Sequence, residues 1–202
     1  MRGEQGSWHP DLTPAGLTRA VHENLTSLGL EALDVVNLRV GGAHGPDEHA
    51  IAAPLDVLIG LQRQGLIRHI GLSNVSPSQY AEAASMTNIV CVQNQYNLAH
   101  RHDDAFIDAL AAKGVAYVPF FPLGGFSPLQ SMVLTEVAQA QGISARQVAL
   151  AWLLQRSPNI LVIAGTSSVH HLRENFAATQ VVLSPEQIAQ LDEIAAKTPN
   201  PA

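Results

Sequence analysis

Five apolar, β-branched runs recur along the chain: DVVNLRV from Asp34, IRHIGLSN from Ile67, IVCVQNQY from Ile89, VAYVPFF from Val115 and ILVIAGT from Ile160. They are nearly continuous in hydrophobicity rather than alternating, the pattern of a parallel strand covered on both faces, so five buried strands are predicted. The segments between them carry helical spacing and helix punctuation. Thr13-Pro14 supplies an N-cap and a first-turn proline, Leu17, Val21, Leu25 and Leu28 form one apolar face, and Gly29 ends that helix. Ser76-Pro77-Ser78-Gln79, Ser144-Ala145-Arg146-Gln147 and Ser184-Pro185-Glu186-Gln187 each fit a capping box, in which serine and glutamine satisfy backbone donors reciprocally. Further helices are expected over about 51–64, 103–113, 129–140 and 168–178, with Gly65 and Gly114 stopping two of them.

Strand and helix therefore alternate, which predicts an α/β fold with parallel connections. An open doubly wound sheet and part of a (β/α)8 barrel compete. A doubly wound nucleotide fold carries a glycine fingerprint after its first strand, and no G-x-G-x-x-G occurs here. A phosphate-type turn, Gly165-Thr166-Ser167-Ser168, follows the last strand instead, where barrels place such sites. The loops thus favour the (β/α)8 TIM-barrel type.

Composition narrows the partners. Lys+Arg 11 against Asp+Glu 17 leaves a net charge of −6, with only Lys113 and Lys197 as lysines, which argues against nucleic acid or an anionic membrane surface. Hydrophobic residues at 47% exclude intrinsic disorder. Cys91 stands alone, so no intramolecular disulfide is possible, and no apolar stretch reaches the ~18 residues of a membrane span. The polar start MRGEQGSWHPDLTP lacks a signal-peptide core, so the cytoplasm is the expected compartment and the sequons at Asn24 and Asn74 read as chance.

The carboxyl ends of the strands, where a barrel keeps its function, bear Asn37 and Arg39, Ser73 and Asn74, Gln93, residues 120–124, and residues 165–168. Amides, hydroxyls, an aromatic ring and glycines suit gripping a carboxamide, stacking on a heteroaromatic ring and cradling phosphate, with little acid–base capacity. Each polar group could equally cap a helix; their occurrence on four successive ends favours a shared ligand.

The runs GLIRHIGLSN, VCVQNQYNLAHR, VPFFPLGG and IAGTSSVHHLRENFAA resemble the aldo-keto reductase superfamily, in order and in spacing, over residues 17–196. The likeness is nearest to a bacterial branch of pyridoxal reductase-like oxidoreductases. It implies a (β/α)8 barrel that binds NADP(H) without a Rossmann domain and reduces an aldehyde or ketone, here a small carbonyl substrate of pyridoxal-like type. Ser73, Asn74 and Gln93 match the family's grip on the nicotinamide carboxamide, and Phe120 matches the ring stacked on the nicotinamide. Leu123 and Gly124 match positions along the pyrophosphate. Gly165, Thr166 and Ser167 match the loop for the adenosine 2′-phosphate, and Glu174 and Asn175 match adenine contacts. A lysine frequent in the family at Gly165 is absent and His171 replaces a frequent arginine, so NAD(H) stays open beside NADP(H).

The resemblance also implies a proton-donating tyrosine assisted by lysine and aspartate on the first three βα units, and the chain is expected to begin after them. No catalytic residue is assigned. Tyr80, Tyr96 and Tyr117 are not expected to substitute, and Arg39, in place of a frequent histidine, is assigned to the substrate side or to a structural ion pair. His100 with His102, and His44 with His49, lack a third ligand by spacing, so no metal is expected. Trp152 reads as core, and Cys91 as a buried hydrophobe. All 202 residues read as one N-terminally truncated domain of about five βα units, since a closed barrel needs roughly 80 to 100 more residues. Unpaired strand edges near Val35 and Val162 would favour self-association. The alternatives are a noncatalytic nucleotide-binding or regulatory protein and an inactive fragment.

Overall fold

A computed structural model describes residues 11–42, 45–47, 49–125 and 131–197. His44, the start of the chain and residues 129 and 130 lie outside the described residues, and the helix expected over 129–140 runs Met132–Gln141 behind an N-cap at Ser131. The chain divides into two compact units, Met1–Gln93 and Asn94–Ala202.

The first unit runs α1 (Pro14–Leu28), β1 (Leu33–Arg39), α2 (Ala52–Arg63), β2 (Ile67–Ser73), α3 (Pro77–Met86) and β3 (Ile89–Gln93). Its helix ends are set by the residues that sequence singled out. The Thr13 side chain accepts from the Gly16 N–H, and Gly29 closes α1 with φ 65°, a left-handed conformation costly for a residue with a Cβ. Ser76 and Gln79 form the expected capping box at the start of α3. β1 pairs parallel with β2 from Leu33↔Ile67 to Arg39↔Ser73, and β2 pairs parallel with β3, with an irregularity between Ile70 and Leu72. Leu38, Ile70 and Leu72 are buried on one face of this sheet with Leu55 and Leu58 of α2. On the other face Val35, Asn37, Arg39 and His69 are exposed.

The second unit contains α4 (Asp104–Ala111), β4 (Ala116–Tyr117), α5 (Met132–Gln141), α6 (Ala145–Arg156), α7 (Val169–Ala177), a 3₁₀ turn (Ala178–Gln180) and α8 (Pro185–Lys197). Capping boxes at Ser144 and Ser184 form as expected: each serine Oγ accepts the N–H three residues on, and Gln147 or Gln187 Oε1 accepts the serine N–H. Every residue of α6 from Val148 to Leu153 is buried, so this helix lies inside the unit. Trp152, 1% exposed, is core as expected.

Two strands differ from expectation. β4 is reduced to two residues, and the 160–166 run pairs only at Ile160, through a parallel bridge to Tyr117. Pro119 supplies no ladder donor just beyond β4, and Leu161 and Ile163 on the 160–166 run are exposed at 61% and 42%. Four strands are described, not five.

A buried polar network ties α4, β4 and α6 together. Tyr117 Oη and Asn94 Nδ2 both donate to Asp103 Oδ2, at 2.7 and 2.8 Å. Asp104 accepts from Arg101 and from the Tyr96 hydroxyl and faces Arg156 at 3.5 Å. Arg101 continues to Asp192 and lies over the Trp152 ring at 4.7 Å, and Trp152 Nε1 donates to Asp192. Burial would push the Asp104 carboxyl up, but the bonds from Arg101 and Tyr96 and the two guanidinium charges hold it below the usual carboxylate range. A depressed folded value contributes stability above the unfolded value, near 4, that is lost as pH falls through the folded one. Urea unfolding should therefore show stability falling below about pH 4. Asp104→Asn should cost about 1 kcal/mol at neutral pH, allowing for its partial exposure, and should flatten that acid decline; an unchanged acid limb would refute this role.

Candidate functional site

The carboxyl ends of β1, β2 and β3 arrange two rows of side chains on the exposed face of the first unit. Arg39, Ser73 and Gln93 are register partners and form the upper row. Asn37 and Gly71, also register partners, form the lower row with Cys91. Side chains two residues apart on a strand share a face, which is why Asn37 lies below Arg39 and Cys91 below Gln93.

In the upper row an Arg39 nitrogen donates to Ser73 Oγ at 3.3 Å and another to the Gly42 carbonyl at 3.1 Å. Burial lowers the Arg39 guanidinium without removing its charge. Asn74 follows, fully buried, with φ 60°, a left-handed conformation rare for a residue with a side chain. Its N–H donates to the Gln93 carbonyl at 2.9 Å, which draws the end of β2 toward β3. Its Nδ2 donates to the Gly42 carbonyl and, at 2.7 Å, to the Gly45 carbonyl, while Oδ1 is buried without a hydrogen-bond partner. Gly41 is obligatory beside it, because a Cβ there would overlap the Asn74 carbonyl.

In the lower row the Asn37 amide spans β2. Its Nδ2 donates to Gln93 Oε1 at 3.1 Å and its Oδ1 accepts from Cys91 Sγ at 3.3 Å. Gly71 makes this possible: a Cβ there would overlap the Asn37 oxygen and the Cys91 sulfur. Burial pushes the Cys91 thiol up, so it remains a neutral donor.

The second unit holds the other predicted positions. Phe120 is half-buried, edge-on to Phe121 at 5.2 Å, and its N–H donates to the Asn94 carbonyl. Leu123 and Gly124 are half-buried, and Gly124, at φ 93°, donates to the Phe121 carbonyl. Gly165, Thr166 and Ser167 are exposed ahead of α7, where Thr166 Oγ1 accepts the Ser168 N–H and Ser168 Oγ accepts the His171 N–H. Gly165 has open space where a Cβ would stand. Glu174 lies 3.8 Å from His170, and His171 packs its ring near the His170 ring. Asn175 Nδ2 donates to the Ala164 carbonyl, leaving its Oδ1 buried and unpartnered.

The tyrosines are committed elsewhere. Tyr96 and Tyr117 donate to Asp104 and Asp103, and burial, then those carboxylates, push both phenols far up; burial also raises Tyr80. His49 pairs with Asp47 at 2.7 Å. Among the described residues no three His, Cys, Asp or Glu side chains are placed to hold a metal ion, and no helix is long and apolar enough to cross a membrane.

A profile of the aldo/keto reductase family matches residues 2–196. The chain belongs to the aldo/keto reductase family. It is 64% identical over 195 residues to a pyridoxine 4-dehydrogenase of Escherichia coli, covering 96% of this chain and 68% of that one. Among solved structures, a thermostable aldo-keto reductase in complex with the inhibitor epalrestat superposes with a TM-score of 0.79 at 32% identity, over 91% of this chain and 67% of that one. An aldo/keto reductase of Klebsiella pneumoniae, solved with NADP and acetate, superposes at 0.75 and 26% identity, over 90% of this chain and 65% of that one. The chain thus spans about two thirds of the length of these reductases and matches their TIM-barrel fold over that part.

Sequence reading placed Ser73, Asn74 and Gln93 correctly at neighbouring strand ends. It noted Asn37 without a role and missed Gly71, Gly41 and the loop carbonyls. The available signal was a glycine and an asparagine inside otherwise apolar strands, which marks close approach across a sheet. Gly71→Ala should cost about 1–3 kcal/mol in urea unfolding, with part of the loss recovered on an Asn37→Ala background. No loss in the single variant would show that the space is not occupied.

Proposed function

We propose that this chain is an NADP(H)-binding oxidoreductase polypeptide of the aldo/keto reductase family, directed to a small aldehyde or ketone. A pyridoxal-like carbonyl is favoured by its 64% identity to the pyridoxine 4-dehydrogenase. The observation that carries the cofactor reading is Asn74: a buried amide, strained at φ 60°, with an acceptor that no described residue satisfies. Strain and an unmet buried acceptor are what a pre-formed ligand contact leaves when the protein is alone. A carboxamide supplies the missing donor. Bound NADP in the Klebsiella pneumoniae structures supports the cofactor class.

On this reading Ser73, Asn74 and Gln93 hold the nicotinamide carboxamide, and Phe120 provides the stacking ring. Leu123 and Gly124 follow the pyrophosphate. Gly165, Thr166 and Ser167 take the 2′-phosphate at the start of α7, where N–H groups and the helix dipole favour an anion. His171, Glu174 and Asn175 stand on the adenosine side. Arg39, fixed by Ser73 and Gly42, orients an anionic or carbonyl oxygen of the substrate. The cofactor, when bound, supplies a hydride to the carbonyl carbon. No described residue is given the proton-donor role, because Tyr96 and Tyr117 hold their protons in hydrogen bonds donated to Asp104 and Asp103. The chain alone is therefore proposed to bind cofactor without turnover, and a noncatalytic nucleotide-binding role is the second reading. Residues 1–202 are treated as one domain, with Val35, Leu161 and Ile163 as exposed apolar positions suited to self-association.

Fluorescence titration with NADPH tests the cofactor claim. Wild type should bind, and Asn74→Ala should bind at least tenfold more weakly, since it removes a buried hydrogen-bonding group. Gly165→Lys, placed where space is open, should raise affinity for NADPH more than for NADH. Equal and negligible binding by wild type and Asn74→Ala would overturn the reading.

A further inference from the structure

We infer that Asn37 is a positioning residue for the carboxamide grip: reaching across Gly71, it locks the Gln93 side-chain amide in one orientation. The inference rests on the cofactor reading above and goes beyond it, because Asn37 is given no contact with the cofactor and acts through Gln93. Three observations carry it. First, Asn37 on β1 and Gln93 on β3 lie on non-adjacent strands, yet their side chains bond at 3.1 Å. Second, the only side chain that could stand between them, at the register partner of Asn37, is absent because that residue is Gly71, and any Cβ there would overlap the Asn37 amide. Third, Cys91 donates to Asn37 Oδ1 at 3.3 Å, so both ends of the Asn37 amide are engaged.

The result is a directional relay. Oδ1 of Asn37 accepts from the Cys91 thiol, and its NH2 donates to Gln93 Oε1. That NH2 in turn requires the oxygen end of Gln93, so Oε1 points along the sheet and the Gln93 NH2 points away from Asn37. A glutamine on its own has three rotatable bonds and two nearly equivalent amide orientations; here the choice is made before any ligand arrives. Pre-setting the orientation removes ordering entropy from the binding step. Asn74 Oδ1 is the complementary element, a fixed acceptor at the neighbouring strand end. One donor end and one acceptor end held in known orientations match a planar carboxamide, which carries one acceptor and one donor group. Asn37 is exposed, so its bond to Gln93 competes with water and the expected effect is modest.

The test is an NADPH titration of the 202-residue chain as wild type, Asn37→Leu, Asn37→Ser, Gln93→Ala and the Asn37→Leu/Gln93→Ala double variant. Asn37→Leu and Asn37→Ser should each weaken binding about two- to tenfold, as loss of one hydrogen bond does. On the Gln93→Ala background Asn37→Leu should have no further effect, because Asn37 acts through Gln93; a purely structural contribution would persist there. Wild-type affinity in both Asn37 variants, or an undiminished effect without Gln93, would overturn the inference. A second arm needs no cofactor. In ¹⁵N-edited spectra the Gln93 side-chain NH2 pair, assigned by its loss in Gln93→Ala, should shift in Asn37→Ser, because its amide loses the bond accepted at Oε1. An unmoved pair would overturn the inference even if NADPH did not bind. Absence of NADPH binding by wild type, with the Gln93 pair responding to Asn37→Ser, would instead remove the cofactor reading and leave the positioning intact.

Discussion

Everything at the candidate site depends on the level ending of three parallel strands. Arg39, Ser73 and Gln93 are partners across β1, β2 and β3, so three residues distant in sequence present their side chains in one row. The backbone bond from Asn74 to Gln93 continues that alignment past the last paired residue. A slip of one residue in either pairing would turn the row to the opposite face, among Leu38 and Leu72. Burial of those residues against α2 therefore fixes the chemistry on the open face, although none of them touches it.

The second unit shows a different solution to a similar demand. Asp103 and Asp104 lie at the start of α4 with their oxygens satisfied by Asn94, Tyr96, Tyr117, Arg101 and Arg156. Carboxylates this close to a core are tolerable only with such partners. The same partnership withdraws two tyrosines from acid–base work. A phenol already donating to a carboxylate inside an apolar environment is stable as it stands, and the environment that holds it raises the energy of its anion.

Helix ends that rest on local devices are legible in the sequence, although Ser131 and the left-handed Gly142 that bound α5 are not among those read from it. Ser76, Ser144 and Ser184, each with its glutamine three residues on, are local devices whose geometry needs no tertiary partner, and Gly29, Gly65 and Gly114 stop helices for equally local reasons. Strand existence was less secure. The ILVIAGT run has the composition of a buried strand but pairs only at Ile160, since strand formation depends on a neighbour that composition does not reveal. At the site, residue types pointed to Ser73, Asn74 and Gln93, and the family resemblance gave them roles. What could not be read was which atom each amide offers. That Asn74 gives its NH2 to a loop and keeps an unmet oxygen, and that Asn37 reaches over Gly71, are consequences of register and of a missing Cβ, visible only once the strands are side by side.

The proposed function turns on a pre-formed carboxamide grip in the first unit, at these strand ends. Reduced nicotinamide mononucleotide, which has the nicotinamide and one phosphate but no adenosine, separates that grip from the contacts proposed for the adenosine and its 2′-phosphate. Titrated into ¹⁵N-labelled protein, it should shift the Asn74 and Gln93 side-chain amides and the Asn74 backbone N–H, and leave the Thr166 and Ser167 amides unmoved. Shifts confined to the start of α7, or none at Asn74 and Gln93 at saturating ligand, would contradict the account.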